Sequence, residues 1–196
     1  PVTSSGMVVP IETTVTPTLV NAASVLAAGM SLIGGVVGLV LVLSGDLLAL
    51  VEQQRTHDPL TGLLNRQGLR HRVASQSAEE PVALGMVDLD HFKQINDLHG
   101  HGMGDQVIRH LARLLQACGS EHCRAARLGG EEFVVVALGS GRGPDLRQML
   151  ERLRQQFADT APQPGATLSA GLALGSVGEF EATLREADAA LYRAKQ

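Results

Sequence analysis

Two apolar runs of strand length meet at a pair of glycines. Residues 123–128 form a short apolar stretch carrying Arg124 and Arg127, and 133–138 is the continuous run Phe-Val-Val-Val-Ala-Leu. Between them stand Gly129, Gly130, Glu131 and Glu132. This arrangement predicts a β-hairpin, because glycine accepts the positive φ that a tight hairpin turn demands. A hairpin here forces antiparallel pairing into the centre of the sheet and excludes a purely parallel one. The tip is also chemically unusual. Adjacent carboxylates repel, so a tip that keeps Glu131 and Glu132 is expected to hold a cation. Bare backbone at Gly129 and Gly130 lets a ligand approach closely. Acids beside open backbone suggest a metal–nucleotide site.

A second segment points the same way. Residues 82–87 read as a buried strand running into Asp88-Leu89-Asp90-His91-Phe92-Lys93-Gln94-Ile95-Asn96-Asp97. Acids at a strand end that leads into a helix are placed to bind Mg²⁺, with phosphate over the helix N-terminus. Gly100-His101-Gly102-Met103-Gly104-Asp105 follows, then a helix over 106–118 with Val107, Ile108, Leu111, Leu114 and Leu115 at helical spacing. Further elements are expected as helix 66–75, helix 145–158, strand 167–174 and helix 180–195, with loops at 76–81, 139–144 and 161–165. Strands interleaved with helices make the domain α/β, more narrowly α+β.

The 196 residues fit one ordinary domain plus an extra segment, and the net charge of -4 with no basic run gives no support for nucleic-acid binding. Cys118 and Cys123 are too few for a disulfide framework and lack a metal-ligand pattern, so they read as reduced, partly buried thiols. The extra segment is N-terminal. No charge occurs from Thr13 to Gly45, a run longer than the about 20 residues a spanning helix needs. No basic segment precedes it and the chain begins at Pro1 without Met, which favours a transmembrane helix over a signal peptide. Arg55, Arg66, Arg70 and Arg72 follow the run and none precedes it, which places the C-terminal domain in the cytoplasm. Gly34, Gly38 and Gly45 share one helical face on which a second copy could pack. The expected organisation is a short extracytoplasmic segment (1–17), a transmembrane helix (18–45), a linker helix (46–57) ended by Asp58-Pro59, and a globular domain (58–196).

On these residues the chain resembles the GGDEF family of diguanylate cyclases, with Gly129-Gly130-Glu131-Glu132-Phe133 as a variant signature. Asp58-Pro59-Leu60-Thr61-Gly62-Leu63-Leu64-Asn65-Arg66, the Asp88–Asp97 segment, Gly100–Asp105 and Ala187-Asp188-Ala189-Ala190-Leu191-Tyr192-Arg193-Ala194-Lys195 match in order. The resemblance implies a palm-like nucleotidyl-cyclase sheet, an antiparallel hairpin at its centre and helices on both sides. It implies Mg²⁺, with Mn²⁺ as an alternative, held by Asp88, Glu131 and the backbone carbonyl of Leu89. Glu131 or Glu132 would take the proton of the ribose 3′-hydroxyl. Lys93 would stabilise phosphate charge, and Phe92 and Lys93 would offer backbone N–H groups to the phosphates. Asn96 and Asp105 would read guanine, Asp105 serving equally as a helix N-cap. His101 matches a substrate-contacting position or is a turn residue, Gly129 and Gly130 border the substrate, and Lys195 matches a contact to the terminal phosphates.

The implied activity is condensation of two GTP into cyclic di-GMP and two pyrophosphates at a homodimer interface. Membrane anchoring in a bacterial inner membrane would bring two domains together, with the Gly34/Gly38 face contributing. Two departures stand out. The family continues past Lys195 with an arginine and a last strand, whereas this chain stops at Gln196, so part of the phosphate clamp is expected to be missing. The positions of the family's Arg-x-x-Asp inhibitory site carry Ser120 and Cys123, which predicts weak or no product inhibition through that site. The alternative reading is an inactive membrane-anchored receptor for GTP or cyclic di-GMP.

Overall fold

The computed structural model describes residues 17–120 and 122–196. The extracytoplasmic segment expected before Pro17 and the side chains of the linker helix lie outside the described residues. The chain divides into two compact units after Leu50. Helix α1 (Pro17–Thr56) covers both the span and the linker foreseen in the sequence. Within it Ser24–Val42 is long and apolar enough to cross a membrane, and none of those residues is buried.

The second unit is a five-stranded sheet in the order β1-β3-β4-β2-β5. Its strands are β1 (Leu64–Asn65), β2 (Pro81–Leu89), β3 (Cys123–Gly129), β4 (Glu132–Leu138) and β5 (Leu168–Ser176). β3 and β4 form the expected hairpin, and β2 pairs antiparallel with both β4 and β5. The two-residue β1, too short to show a periodicity, adds the one parallel pair, to β3.

Helices cover both faces. Helices α3 (Phe92–His99), α4 (His101–Ala117) and α5 (Arg142–Thr160) lie on one side, and α2 (Arg66–Ala74) and α6 (Phe180–Ala194) on the other. Side chains of a strand alternate between faces. Ala83, Val87 and Leu89 of β2 therefore join Val107, Leu111, Leu153 and Phe157, while Val82, Leu84 and Met86 join Leu69, Val73, Phe180 and Leu191. Asn65 starts α2 by accepting from Gly68 N at 2.9 Å, an N-cap bond.

One sequence expectation is corrected. Helix α4 starts at His101 rather than at 106, so Asp105 lies inside the helix and does not cap it. Gly100 (φ +79°) ends α3 and opens α4, and Met103 N already donates to Gly100 O at 3.1 Å. Gly102 and Gly104 weaken helix propensity, but packing of this turn against α3 overrides it.

Candidate active site

Asp88 continues the set of β2 side chains that face α2 and α6, at the very end of the strand. It stands opposite Glu132 of β4 and Ser169 of β5. Asp88 is only 9% exposed. Burial pushes its carboxyl up, opposed by the hydrogen bond and charge of Lys195, and the nearby charges of Glu131 and Asp90 push it up further. Two sequence-predicted acids, Asp88 and Glu131, are thus close enough to repel. The Leu89 side chain is in the core, so only its backbone is available to a ligand. Two carboxylates and a carbonyl form a hard-oxygen donor set that fits Mg²⁺, which binds through few protein ligands and keeps room for substrate oxygens.

The hairpin tip that presents Glu131 is held from behind. Gly129 (φ +153°) and Gly130 (φ +52°) shape the turn, with a register shift between Arg127 and Gly129. Arg127 donates from Nε and Nη2 to the Gly130 carbonyl at 2.9 and 2.8 Å. Its Nη1 reaches Asp58 Oδ1 and Oδ2 at 3.0 and 3.2 Å. Asp58 also accepts from the Thr61 hydroxyl at 2.7 Å and the Thr61 N–H at 3.0 Å. Burial alone would raise the Asp58 carboxyl, but the Thr61 and Arg127 contacts outweigh it and hold it below its ordinary value. The acid tip is therefore tied to the chain just after α1, a link between segments that no sequence pattern announces.

From Asp88 the chain turns into α3. Asp90 is fixed by the hydroxyls of Thr167 and Ser169, each at 2.7 Å, and its N–H donates to Thr167 O at 2.9 Å. His91 takes the left-handed conformation (φ +55°), uncommon without glycine, and opens the helix. Phe92 and Lys93 form the first turn of α3, where free N–H groups gather. Phe92 packs on the core and Lys93 is exposed.

Asn96 lies one turn further on. Its Oδ1 is buried and has no hydrogen-bond partner. A buried bare acceptor is costly, so it marks a place where a ligand donor fits. Gly104 of α4 makes the space, since a Cβ there would collide with Asn96 Oδ1 and come within 3.0 Å of Phe92 Cζ. Asp105, the next residue, pairs with Arg109 at 3.4 Å. His101 is exposed at the first residue of α4.

Lys195 caps the C-terminus of α6 and donates to Asp88 Oδ1 at 2.5 Å. The structure thus gathers Asp88, Glu131, Glu132 and Lys195 at one end of the sheet, with Phe92, Lys93 and Asn96 following directly from it. Asp90, Arg127 and Gly104 complete this frame; sequence reasoning assigned Arg127 and Gly104 no role, and read Asp90 only as one of the strand-end acids, not as the anchor of the turn. The inhibitory-site positions lie elsewhere, at the α4–β3 junction, where Ser120 and Cys123 form a backbone bridge. Cys118 and Cys123 are free, partly buried thiols, as expected.

Known proteins give this arrangement a family. The family described as "Diguanylate cyclase, GGDEF domain" matches residues 55–196. Diguanylate cyclase DgcP of Pseudomonas aeruginosa is 40% identical over 160 residues, covering 74% of this chain and 23% of that protein. Diguanylate cyclase DgcM of Escherichia coli is 35% identical over 153 residues, covering 74% of this chain and 37% of that one. An uncharacterised signalling protein of Caulobacter vibrioides is 41% identical over 152 residues, covering 71% and 19%. The chain thus spans well under half the length of these relatives. Among solved structures, the coiled coil and GGDEF domain of DgcB from Caulobacter crescentus in complex with c-di-GMP aligns with a TM-score of 0.70 at 28% identity, covering 89% of this chain and 94% of that one. Diguanylate cyclase SiaD of Pseudomonas aeruginosa, in complex with its activator SiaC, aligns with a TM-score of 0.66 at 31% identity, covering 91% and 72%. The mixed α+β fold and five-stranded sheet are those of GGDEF structures, and the chain belongs to the GGDEF diguanylate cyclase domain family.

Proposed function

We propose that this chain is a membrane-anchored diguanylate cyclase that condenses two GTP into cyclic di-GMP and two pyrophosphates, with a variant Gly-Gly-Glu-Glu-Phe signature. The observation that carries the reading is the close pair Asp88 and Glu131 at the strand end, followed by the buried, partnerless Asn96 Oδ1. Asp88, Glu131 and the Leu89 carbonyl would hold Mg²⁺ or Mn²⁺, which when bound neutralises triphosphate charge. The first turn of α3 offers backbone N–H groups from Phe92 and Lys93 to phosphate oxygens, and the helix dipole favours negative charge there. Lys93 and Lys195 add cationic charge for the departing pyrophosphate. Asn96 and Asp105 face the guanine edge, with His101 at its rim, and Gly129 and Gly130 leave room beside the sugar and phosphates.

The bond formed joins a ribose 3′-oxygen to the α-phosphorus of a second GTP, and the bond broken releases pyrophosphate. Glu131 or Glu132 takes the hydroxyl proton, a role open to a carboxylate at hydrogen-bond reach. One domain holds one nucleotide, so two domains must face each other. Positioning supplies most of the acceleration in such a reaction. Anchoring through Ser24–Val42, with the Gly34/Gly38 face toward a second copy, would raise the effective concentration of the partner domain. The catalytic domain then lies on the cytoplasmic side of a bacterial inner membrane.

The test is incubation of the detergent-solubilised chain with GTP and Mg²⁺, with products resolved by chromatography. Cyclic di-GMP that disappears in Glu131→Ala, at an initial rate steeper than first order in protein, supports the cyclase. GTP bound but unconverted would replace it with a receptor.

A further inference from the structure

Lys195 does something its sequence position does not suggest. Helix α6 lies directly against β5. A Cβ at Gly171 would collide with Leu191 N and Ala187 O, so no side chain separates helix from strand. This close approach delivers the residue at the end of α6 to the end of β2, where its ammonium meets Asp88 Oδ1 at 2.5 Å. The Asp88 side chain is 12% exposed and that of Lys195 36%, so a sheltered carboxylate meets an ammonium that arrives from the solvent side. Among the described residues Lys195 is the one cation paired with Asp88. Arg127, a sheltered cation beside the hairpin tip, is committed to Asp58 and Gly130. Burial and the neighbouring acids oppose a bare carboxylate at Asp88, and Lys195 is the group that relieves them.

We infer that Lys195 is the resident counter-ion of the acid pair, and that a divalent cation must displace it from Asp88, freeing its ammonium for the triphosphate. The inference rests on the cyclase reading, in which Asp88 is a metal ligand. One carboxylate oxygen cannot hold an ammonium at 2.5 Å and a divalent ion together, because the two cations would repel strongly in a sheltered site. A lysine suits the exchange, since its flexible stem carries a compact charge from one oxygen anion to another. Metal alone must break the pair without compensation. Metal with triphosphate gives the ammonium a new anionic partner. Metal and nucleotide therefore bind cooperatively, and each raises the other's affinity by the same factor. If the pair is formed about nine-tenths of the time, the competent fraction is about one tenth and metal affinity is lowered about tenfold.

The experiment is Mn²⁺ titration of the full chain in detergent, followed by electron paramagnetic resonance without nucleotide. Lys195→Met is expected to bind Mn²⁺ about tenfold more tightly than the unaltered chain. Arg193→Met loses the same charge from an exposed neighbour and is expected to change affinity less than about twofold, which removes general charge as the cause. Lys195→Arg keeps a cation at the position and is expected to stay near the unaltered affinity. With a non-hydrolysable GTP analogue present the order reverses, and Lys195→Met binds Mn²⁺ more weakly than the unaltered chain. Equal Mn²⁺ affinities for Lys195→Met and Arg193→Met would overturn the exchange while leaving the metal site standing. Absence of Mn²⁺ binding in every variant would overturn the metal-ligand assignment, and the exchange with it.

Discussion

Replacing Arg127 with alanine removes the link between the hairpin tip and the segment after α1, and its cost can be worked from the contacts. Four hydrogen bonds disappear, two to Gly130 O and two to Asp58. The Arg127 and Asp58 side chains are 12% and 18% exposed, so the pair is mostly but not fully desolvated. Breaking a buried pair by removing one partner costs about 3–5 kcal/mol. Residual solvent contact and the surviving Thr61 bonds to Asp58 reduce this to about 2–3 kcal/mol. For a domain of this size the melting temperature should fall by about 6–12 °C. The pH dependence separates the two halves of the clamp. The folded Asp58 carboxyl lies below its ordinary 3.8, so its contribution is present above 3.8 and is lost as pH falls through the folded value. Once pH has fallen below that folded value, the gap between the unaltered chain and Arg127→Ala should shrink toward the share of the Gly130 carbonyl, about 1 kcal/mol. Thermal unfolding followed by circular dichroism at neutral and acid pH measures both. A loss under about 0.5 kcal/mol at pH 7, or a gap that stays constant into acid, would refute the reasoning.

Gly104→Ala should push Asn96 from its place and erode guanine recognition. The KM for GTP should rise about tenfold while affinity for inorganic pyrophosphate stays unchanged, as steady-state kinetics and calorimetry would show. Asp90→Ala removes the bonds to the exposed Thr167 hydroxyl and the part-buried Ser169 hydroxyl and releases the β2–α3 turn, and should cost about 1 kcal/mol in chemical denaturation, with Asp90→Asn recovering part of it. Ser120 and Cys123 bring no charge to the inhibitory-site positions, so micromolar cyclic di-GMP should leave the initial rate unchanged. Inhibition relieved by altering either residue would contradict that.

The sequence exposed what depends on local pattern. Glu131 follows two glycines between apolar runs, and Asp88 lies near the end of a strand that is buried from Val82 on, so both acids were readable from their neighbours. What holds them was not readable, because each support joins distant residues. Asp58 and Arg127 are 69 positions apart, Asp90 and Ser169 are 79, and Asp88 and Lys195 are 107. The start of α4 was missed because Gly102 and Gly104 look like loop, whereas Gly104 packs closely against Asn96 and Phe92 of α3 within the helix. Lys195 shows the limit from the other side. Its match to the family suggested a phosphate contact and gave no sign of the carboxylate on which the close approach at Gly171 seats it.

Strand register decides how a substrate can lie in this site. Asp88 extends the series Val82, Leu84 and Met86, so it belongs to the face covered by α2 and α6. Glu132 and Ser169 stand beside it on that face, and the cation that reaches it comes from α6. Asn96 lies on α3, whose Ile95 and Phe92 join the opposite layer with α4 and α5. A one-residue slip of β2 would exchange the faces, burying Asp88 among the α4 and α5 side chains and sending Leu89 toward Lys195. In the actual register the acids and the Asn96 amide sit on opposite sides of the same strand end. Under the proposed cyclase reading, a nucleotide that engages both lies across that end, its base toward the α3–α4 side and its phosphates toward α6. The β2–α3 turn then runs beneath its middle, which is where the anchored Asp90 and the left-handed His91 fix the backbone.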